Sequence, residues 1–104
     1  MPRTPDKRIA THPGEVLKEE FLLPLGLSAN RLAQAIGVPA NRVTAVVKGT
    51  RSVTPDTALR LARLFGTTPE FWVNLQVAHD LSKAKVESAA AIERAIKPMH
   101  VDAA

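Results

Sequence analysis

The segment from Gly26 to Gly49 constrains this chain more than any other. It reads Gly-Leu-Ser-Ala-Asn-Arg-Leu-Ala-Gln-Ala-Ile-Gly-Val-Pro-Ala-Asn-Arg-Val-Thr-Ala-Val-Val-Lys-Gly. Apolar residues recur at helical spacing on both sides of Gly37: Leu32, Ala33 and Ile36 before it, and Val43, Val46 and Val47 after it. Ser28 is placed to cap the first helix. Gly37 supplies the turn, where a side chain would strain the backbone or block close packing. Pro39 opens the second helix, as its cap or its first residue, and Gly49 closes it. The pattern predicts two short helices hinged at a glycine, with cations and small polar residues on the outer side.

The flanks extend the helical pattern. His12-Pro13-Gly14-Glu15 reads as a helix start, followed by an apolar stripe of Val16, Leu17, Phe21 and Leu22, and Pro24 is expected to end that helix. Thr54-Pro55-Asp56 and Thr68-Pro69-Glu70 repeat one opening: a capping hydroxyl, a first-turn proline and an acid at the positive end of the helix dipole. The fourth helix carries Ala58, Leu59, Leu61, Ala62 and Phe65 and stops at Gly66. The fifth is expected from Pro69 to about Leu81, and a further alanine-rich helix from about Ser82 to Lys97. No strand signal, repeat or low-complexity tract interrupts this. The expected fold is all-α, in three parts: a flexible arm over 1–11, a helical domain over 12–81, and a C-terminal helix and tail over 82–104.

The fifth helix has more apolar surface than one small core can cover. Phe71, Leu75 and Ala78 cluster on one side, with Trp72 and His79 at the edge, while Val73, Val77 and Leu81 form a second stripe. Its cover is either the C-terminal helix folded back or a second subunit. A symmetric homodimer through Val73, Val77 and Leu81 is the expected arrangement.

The two hinged helices have the form of a helix-turn-helix, whose second helix enters the major groove of double-stranded DNA N-terminus first. The outer residues of that helix are Ala40, Asn41, Arg42, Thr44 and Ala45. Asn41 can pair with the donor–acceptor edge of adenine, Thr44 can offer a hydroxyl or a methyl, and Ala40 and Ala45 can touch a thymine methyl. Arg42 can reach guanine or phosphate. Phosphate contacts are expected from Ser28, Asn30, Arg31, Gln34, Lys48, Thr50 and Arg51. The charge distribution agrees. Of a net +4, residues 31–63 hold +5 (Arg31, Arg42, Lys48, Arg51, Arg60 and Arg63 against Asp56), and the flanks hold −1.

Catalysis finds little support. His12, His79 and His100 lie in separate segments, Glu19 and Glu20 point about 100° apart on a helix, and there is no glycine-rich phosphate loop. With no cysteine there is no disulfide, thiolate or zinc ribbon. No cofactor or metal is expected. No apolar run is long enough to span a bilayer, and a cytoplasmic setting is expected.

The core from Leu27 to Gly66 resembles the Cro/C1-type, lambda-repressor-like helix-turn-helix: a five-helix DNA-binding domain, here with a helical C-terminal extension. A narrower resemblance runs from His12 to Leu81. His12-Pro13-Gly14-Glu15-Val16-Leu17, Pro24-Leu25-Gly26-Leu27-Ser28, Asp56-Thr57-Ala58-Leu59-Arg60-Leu61 and Phe71-Trp72-Val73-Asn74-Leu75-Gln76 are similar to the HigA antitoxin family, also labelled virulence-associated protein I. The resemblance implies a homodimeric repressor that binds operator DNA at its own promoter and neutralises a HigB-type toxin, a ribosome-dependent mRNA endonuclease. The alternative is a solitary repressor without a toxin. The toxin's docking surface is either the mixed-charge arm (Arg3, Asp6, Lys7, Arg8) or the first helix with Glu15, Glu19 and Glu20. Charge complementarity to an RNA-cleaving surface favours the helix.

Overall fold

The computed structural model describes residues 8–100, and among them every regular element is helical. Helix α1 has three segments in unbroken succession: an α-helical turn Pro13–Leu17, a π-helical turn Lys18–Leu22 and a final α-turn Leu23–Leu25. His12 caps it, Nδ1 accepting the Gly14 N–H at 2.9 Å. Pro24 does not end this helix. Its ring would clash with the carbonyl four residues back in a regular α-helix, and the wider turn before it relieves that crowding. The helix stops two residues later, at left-handed Gly26 (φ 60°), where Leu27 N–H closes back on the Leu22 carbonyl at 2.9 Å.

Helix α2 spans Ala29–Ile36, with Ser28 Oγ accepting the Arg31 N–H at 3.1 Å. Gly37 takes φ 72°, and Val38 N–H returns to the Ala33 carbonyl at 3.0 Å. Helix α3 spans Ala40–Val47. Pro39 is its N-cap and has no side-chain group to accept a bond. Helix α4 spans Pro55–Phe65, capped by Thr54 and stopped at Gly66. Ala58, Leu61 and Ala62 take its inner face, which turns Leu59 outward at 59% exposure.

Helix α5 departs most from expectation. It is one helix of 27 residues, Pro69–Ala95, rather than two. Neither glycine nor proline interrupts Glu70 to Lys97, and the alanine-rich half is a strong helix former, so nothing breaks the helix near Leu81. At 1.5 Å per residue it is about 40 Å long. The molecule is accordingly elongated, 52 × 30 × 25 Å. The outer half of α5 runs straight on, so it does not fold back over Val77 and Leu81.

One core unites these elements: Leu17, Leu22, Leu32, Ala33, Ile36, Val43, Val46, Val53, Ala58, Leu61, Ala62 and Trp72. Trp72 is fully buried, its Nε1–H donating to Thr67 Oγ1 at 2.8 Å, and Phe21 lies against both Phe65 and Trp72. The inner face of α5 is therefore Trp72 and Gln76. The expected Phe71–Leu75–Ala78 face has rotated outward: Phe71 and Ala78 are exposed and Leu75 is half-buried. A polar side chain takes the inner position because Gln76 Oε1 accepts the buried Val53 N–H at 2.7 Å, while its Nε2 donates to Asp80 Oδ1 at 2.9 Å. An unpaired amide there would cost about 1–3 kcal/mol.

Residues 1–7 of the expected arm lie outside the described residues. Its last part is held in place: Ala10 N–H donates to Ser82 Oγ and Ala10 C=O accepts from His79 Nδ1, each at 2.8 Å. The His79 ring meets His12 edge-on, with centroids 4.8 Å apart.

Candidate nucleic-acid interface

Helix α3 rests on the core through Val43 and Val46, and this sets which residues face out. Ala40 and Asn41 are exposed, and Thr44 and Ala45 half-exposed. No hydrogen bond engages the Asn41 amide among the described residues, so both its donor and its acceptor are available. Thr44 Oγ1–H donates to the Ala40 carbonyl at 3.1 Å. That leaves Thr44 a methyl and an acceptor lone pair rather than a donor.

Arg42 is placed differently. Its Nη1 lies 3.3 Å from Asp56 Oδ2 at the start of α4, and the same oxygen takes Arg60 Nε at 2.9 Å. Arg60 Nη1 also donates to the Ile36 carbonyl at 2.7 Å. Asp56 and Arg60 thus tie α4 to the hinge between α2 and α3 and to α3 itself. In the sequence Asp56 shows only a helix-dipole role, and Arg60 enters only the net charge of residues 31–63. No spacing rule links residues 42, 56 and 60, since the contact exists only once α4 crosses the hinge. Each exposed pair contributes no more than about 1 kcal/mol, so its use is positional.

The remaining predicted residues surround α3. Asn30, Arg31 and Gln34 are exposed on α2, and Ser28 is exposed at its N-terminus with its hydroxyl oxygen committed to the cap. Beyond α3, Lys48, Thr50 and Arg51 are exposed. The backbone N–H groups of Thr50 and Arg51 and the Thr50 hydroxyl all donate to the Ala45 carbonyl, at 3.0, 3.2 and 3.2 Å, which curls this loop around the end of the helix. No ion pair engages Arg31, Lys48 or Arg51 among the described residues. The arrangement is a rigid convex helix with one free amide at its tip and unpaired cations on both sides. Such a surface matches a groove in a polyanion.

Helix α1 is seated against α3 by contact closer than any side chain permits. A Cβ on Gly14 would stand 1.7 Å from the Val46 carbonyl oxygen. The His12 ring lies over Gly49 in the same corner. Burial of His12, and secondarily the neighbouring His79, hold its pKa below the ordinary histidine value against an opposing pull from Asp80. On the outer side of α1, Glu15, Glu19 and Glu20 are exposed around a shallow cleft with Thr11 and Val16.

Of the second α5 stripe, Val73 packs against this chain's own core, whereas Val77 and Leu81 stand 55% and 53% exposed. Among the described residues no group of three or more His, Cys, Asp or Glu is arranged to hold a metal ion, and no helix is long and apolar enough to cross a membrane.

Comparison with known proteins agrees with this geometry. A helix-turn-helix family profile matches residues 17–72. Virulence-associated protein I of Dichelobacter nodosus is 46% identical over 85 residues, which span 82% of this chain and 79% of that protein. An addiction module antidote protein of the HigA family from Coxiella burnetii superposes with a TM-score of 0.82 at 51% identity, covering 88% of this chain and all of that one. The Pseudomonas aeruginosa antitoxin HigA, solved with the higBA promoter, gives a TM-score of 0.83 at 39% identity, covering 86% of this chain and 98% of that one.

Proposed function

We propose that this chain, which belongs to the helix-turn-helix family that includes virulence-associated protein I and the HigA antitoxins, is a dimeric antitoxin that binds operator DNA and represses its own operon. The observation that carries the reading is the outer face of α3, an unengaged Asn41 amide flanked by cations without ion-pair partners. The Pseudomonas aeruginosa HigA relative, solved with the higBA promoter, supports promoter binding by this chain.

In this reading Asn41 pairs with an adenine edge, and Ala40, Thr44 and Ala45 meet neighbouring bases. Arg42 exchanges Asp56 for guanine or phosphate. Ser28, Asn30, Arg31, Gln34, Lys48, Thr50 and Arg51 hold the backbone on either side of the groove. A second copy covers Val77 and Leu81, so that two α3 helices address two half-sites. The protein works in the cytoplasm, without a cofactor and without catalysis of its own.

The toxin partner is a HigB-type mRNA endonuclease, and its docking surface is the outer face of α1. An RNA-cleaving surface is basic, and Glu15, Glu19 and Glu20 offer it carboxylates in the open. A gel shift with the chain's own promoter and a scrambled duplex, at two salt concentrations, tests the DNA reading. Preferential retardation of the promoter is expected, and equal retardation of both would overturn it. Toxin pull-down by a chain carrying Glu19→Lys and Glu20→Lys tests the acidic face, and undiminished capture would rule that face out.

A further inference from the structure

We propose that the phosphate contact at Arg51 extends beyond the helix-turn-helix, into the cleft between α5 and the loop after α3, where Lys83 completes it. Lys83 and Arg51 are the cationic walls of the cleft, and its ligand is a backbone phosphate of the same DNA duplex. The inference rests on the reading that α3 enters a DNA groove, and it assigns a DNA contact to α5.

The cleft has a volume of about 210 Å³, and its lining includes Arg51, Ser52, Gln76, Asp80 and Lys83. Two sets of bonds fix its walls. The loop is bound to α3 through the Ala45 carbonyl, which accepts from both the backbone and the hydroxyl of Thr50. It is bound to α5 through the Val53 N–H and Gln76 Oε1 at 2.7 Å. Residues 76, 80 and 83 follow one another on a single face of a helix. Lys83 is thus carried outward along the wall that Gln76 anchors, on the side where the loop leaves α3. The cleft opens beside Gly49 and Thr50, at the C-terminal end of the recognition helix, and with α3 in the groove the bordering sugar–phosphate strand is placed to pass it.

The charges point to an anion. Asp80 is the acid in the lining, and Gln76 Nε2 occupies one of its oxygens. Neither Arg51 nor Lys83 has an ion-pair partner among the described residues, in contrast to Arg42 and Arg60, which share Asp56. Ser52 adds a hydroxyl with no partner among the described residues. An exposed pair of cations and a free hydroxyl donor, on a loop fixed by the buried Val53–Gln76 bond and by the bonds to the Ala45 carbonyl, suits a phosphodiester oxygen pair. Because a phosphate contact carries no base information, the site serves affinity and register rather than sequence choice.

The test is a titration of the full chain against its own promoter duplex and a scrambled duplex over a series of salt concentrations, with Lys83→Ala and Lys85→Ala compared. Lys85 lies on the same helix but lines a different cleft, with Leu81 and Ser82. Lys83→Ala is expected to weaken binding to both duplexes by a similar factor, on the order of 3–10-fold. It should also make the slope of log K against log salt shallower by about 0.9, one phosphate's worth. Melting temperature and oligomeric state should not change, Lys85→Ala should bind like the unaltered chain, and Lys83→Arg should restore affinity. An unaltered chain that binds its promoter while Lys83→Ala matches it in affinity and slope would overturn the site and leave the DNA reading intact. Equal losses from Lys85→Ala would also overturn it, because general charge would then account for the effect. An unaltered chain that binds neither duplex would overturn the DNA reading and this site together.

Discussion

Replacing Gly14 by alanine tests how α1 is joined to the recognition helix. The new Cβ would lie 1.7 Å from the Val46 carbonyl oxygen and 2.7 Å from its carbon, where ordinary contact begins near 3.4 Å. Both neighbours are backbone, so no rotamer change relieves the clash, and α1 must withdraw from α3 by about 1–2 Å. Overpacking of this kind costs about 1–3 kcal/mol, offset by up to about 1 kcal/mol of helix propensity gained on removing a glycine. We expect the upper part of that range, about 2–3 kcal/mol, a fall in Tm on the order of 8–24 °C for a domain of this size. Gly66→Ala is the companion measurement. Gly66 has a left-handed φ of 73° but nothing within 4 Å of a new Cβ, so alanine there costs only conformational strain, about 1–2 kcal/mol. Thermal melts and urea titrations of both variants separate clash from strain. A Gly14→Ala chain as stable as the unaltered one would refute the close seating of α1 on α3.

Three further perturbations follow from the same contacts. Gln76→Leu keeps the volume but strands the buried Val53 N–H, so urea titration should show a loss of about 1–3 kcal/mol, and an unchanged midpoint would mean that the bond contributes nothing. For His12 the sign is set by a folded-state pKa below the unfolded value of 6.5. The unfolded chain takes up the proton first, so stability is complete above about pH 6.5 and declines as the pH falls through the folded pKa. Protonation also removes the Nδ1 lone pair that caps Gly14. Melts from pH 7.5 to 5 should show this decline, and His12→Asn, which keeps a capping oxygen but does not titrate, should lessen it; the same decline in both chains would contradict the assignment. Val77→Asp with Leu81→Asp should convert the proposed dimer to monomer in sedimentation, since each aliphatic covered at an interface contributes about 1.5–3 kcal/mol. A dimer that survives both changes would show that the interface lies elsewhere.

Local chemistry was legible wherever a residue acts on its own turn. The caps at His12, Ser28, Thr54 and Thr68 and the stops at Gly37 and Gly66 sit where the spacing puts them, because each bond involved spans three or four residues. What failed to show in the sequence depends on crossings between helices. Trp72 and Gln76 face inward because Thr67 and Val53 offer them partners, whereas apolar periodicity alone ranked Phe71 and Ala78 above a glutamine. Proline terminates regular α-helices, and the π-turn before Pro24 removes the premise of that rule. The stretch around Ser82 contains no residue that breaks a helix, so α5 continues unbroken where two helices are expected. In the interface, the outer positions of α3 followed from periodicity. The Asp56 bridge to Arg42 and Arg60 and the position of Lys83 beside Arg51 required the packed structure.

Whether the outer face of α3 reads base sequence is decided by a binding titration of Asn41→Ala against the promoter duplex and a scrambled duplex at one fixed salt concentration. A loss of about 1–3 kcal/mol on the promoter, some 5- to 150-fold, is expected, with binding to the scrambled duplex unchanged. Equal losses on both duplexes, or none on either, would contradict base reading by α3.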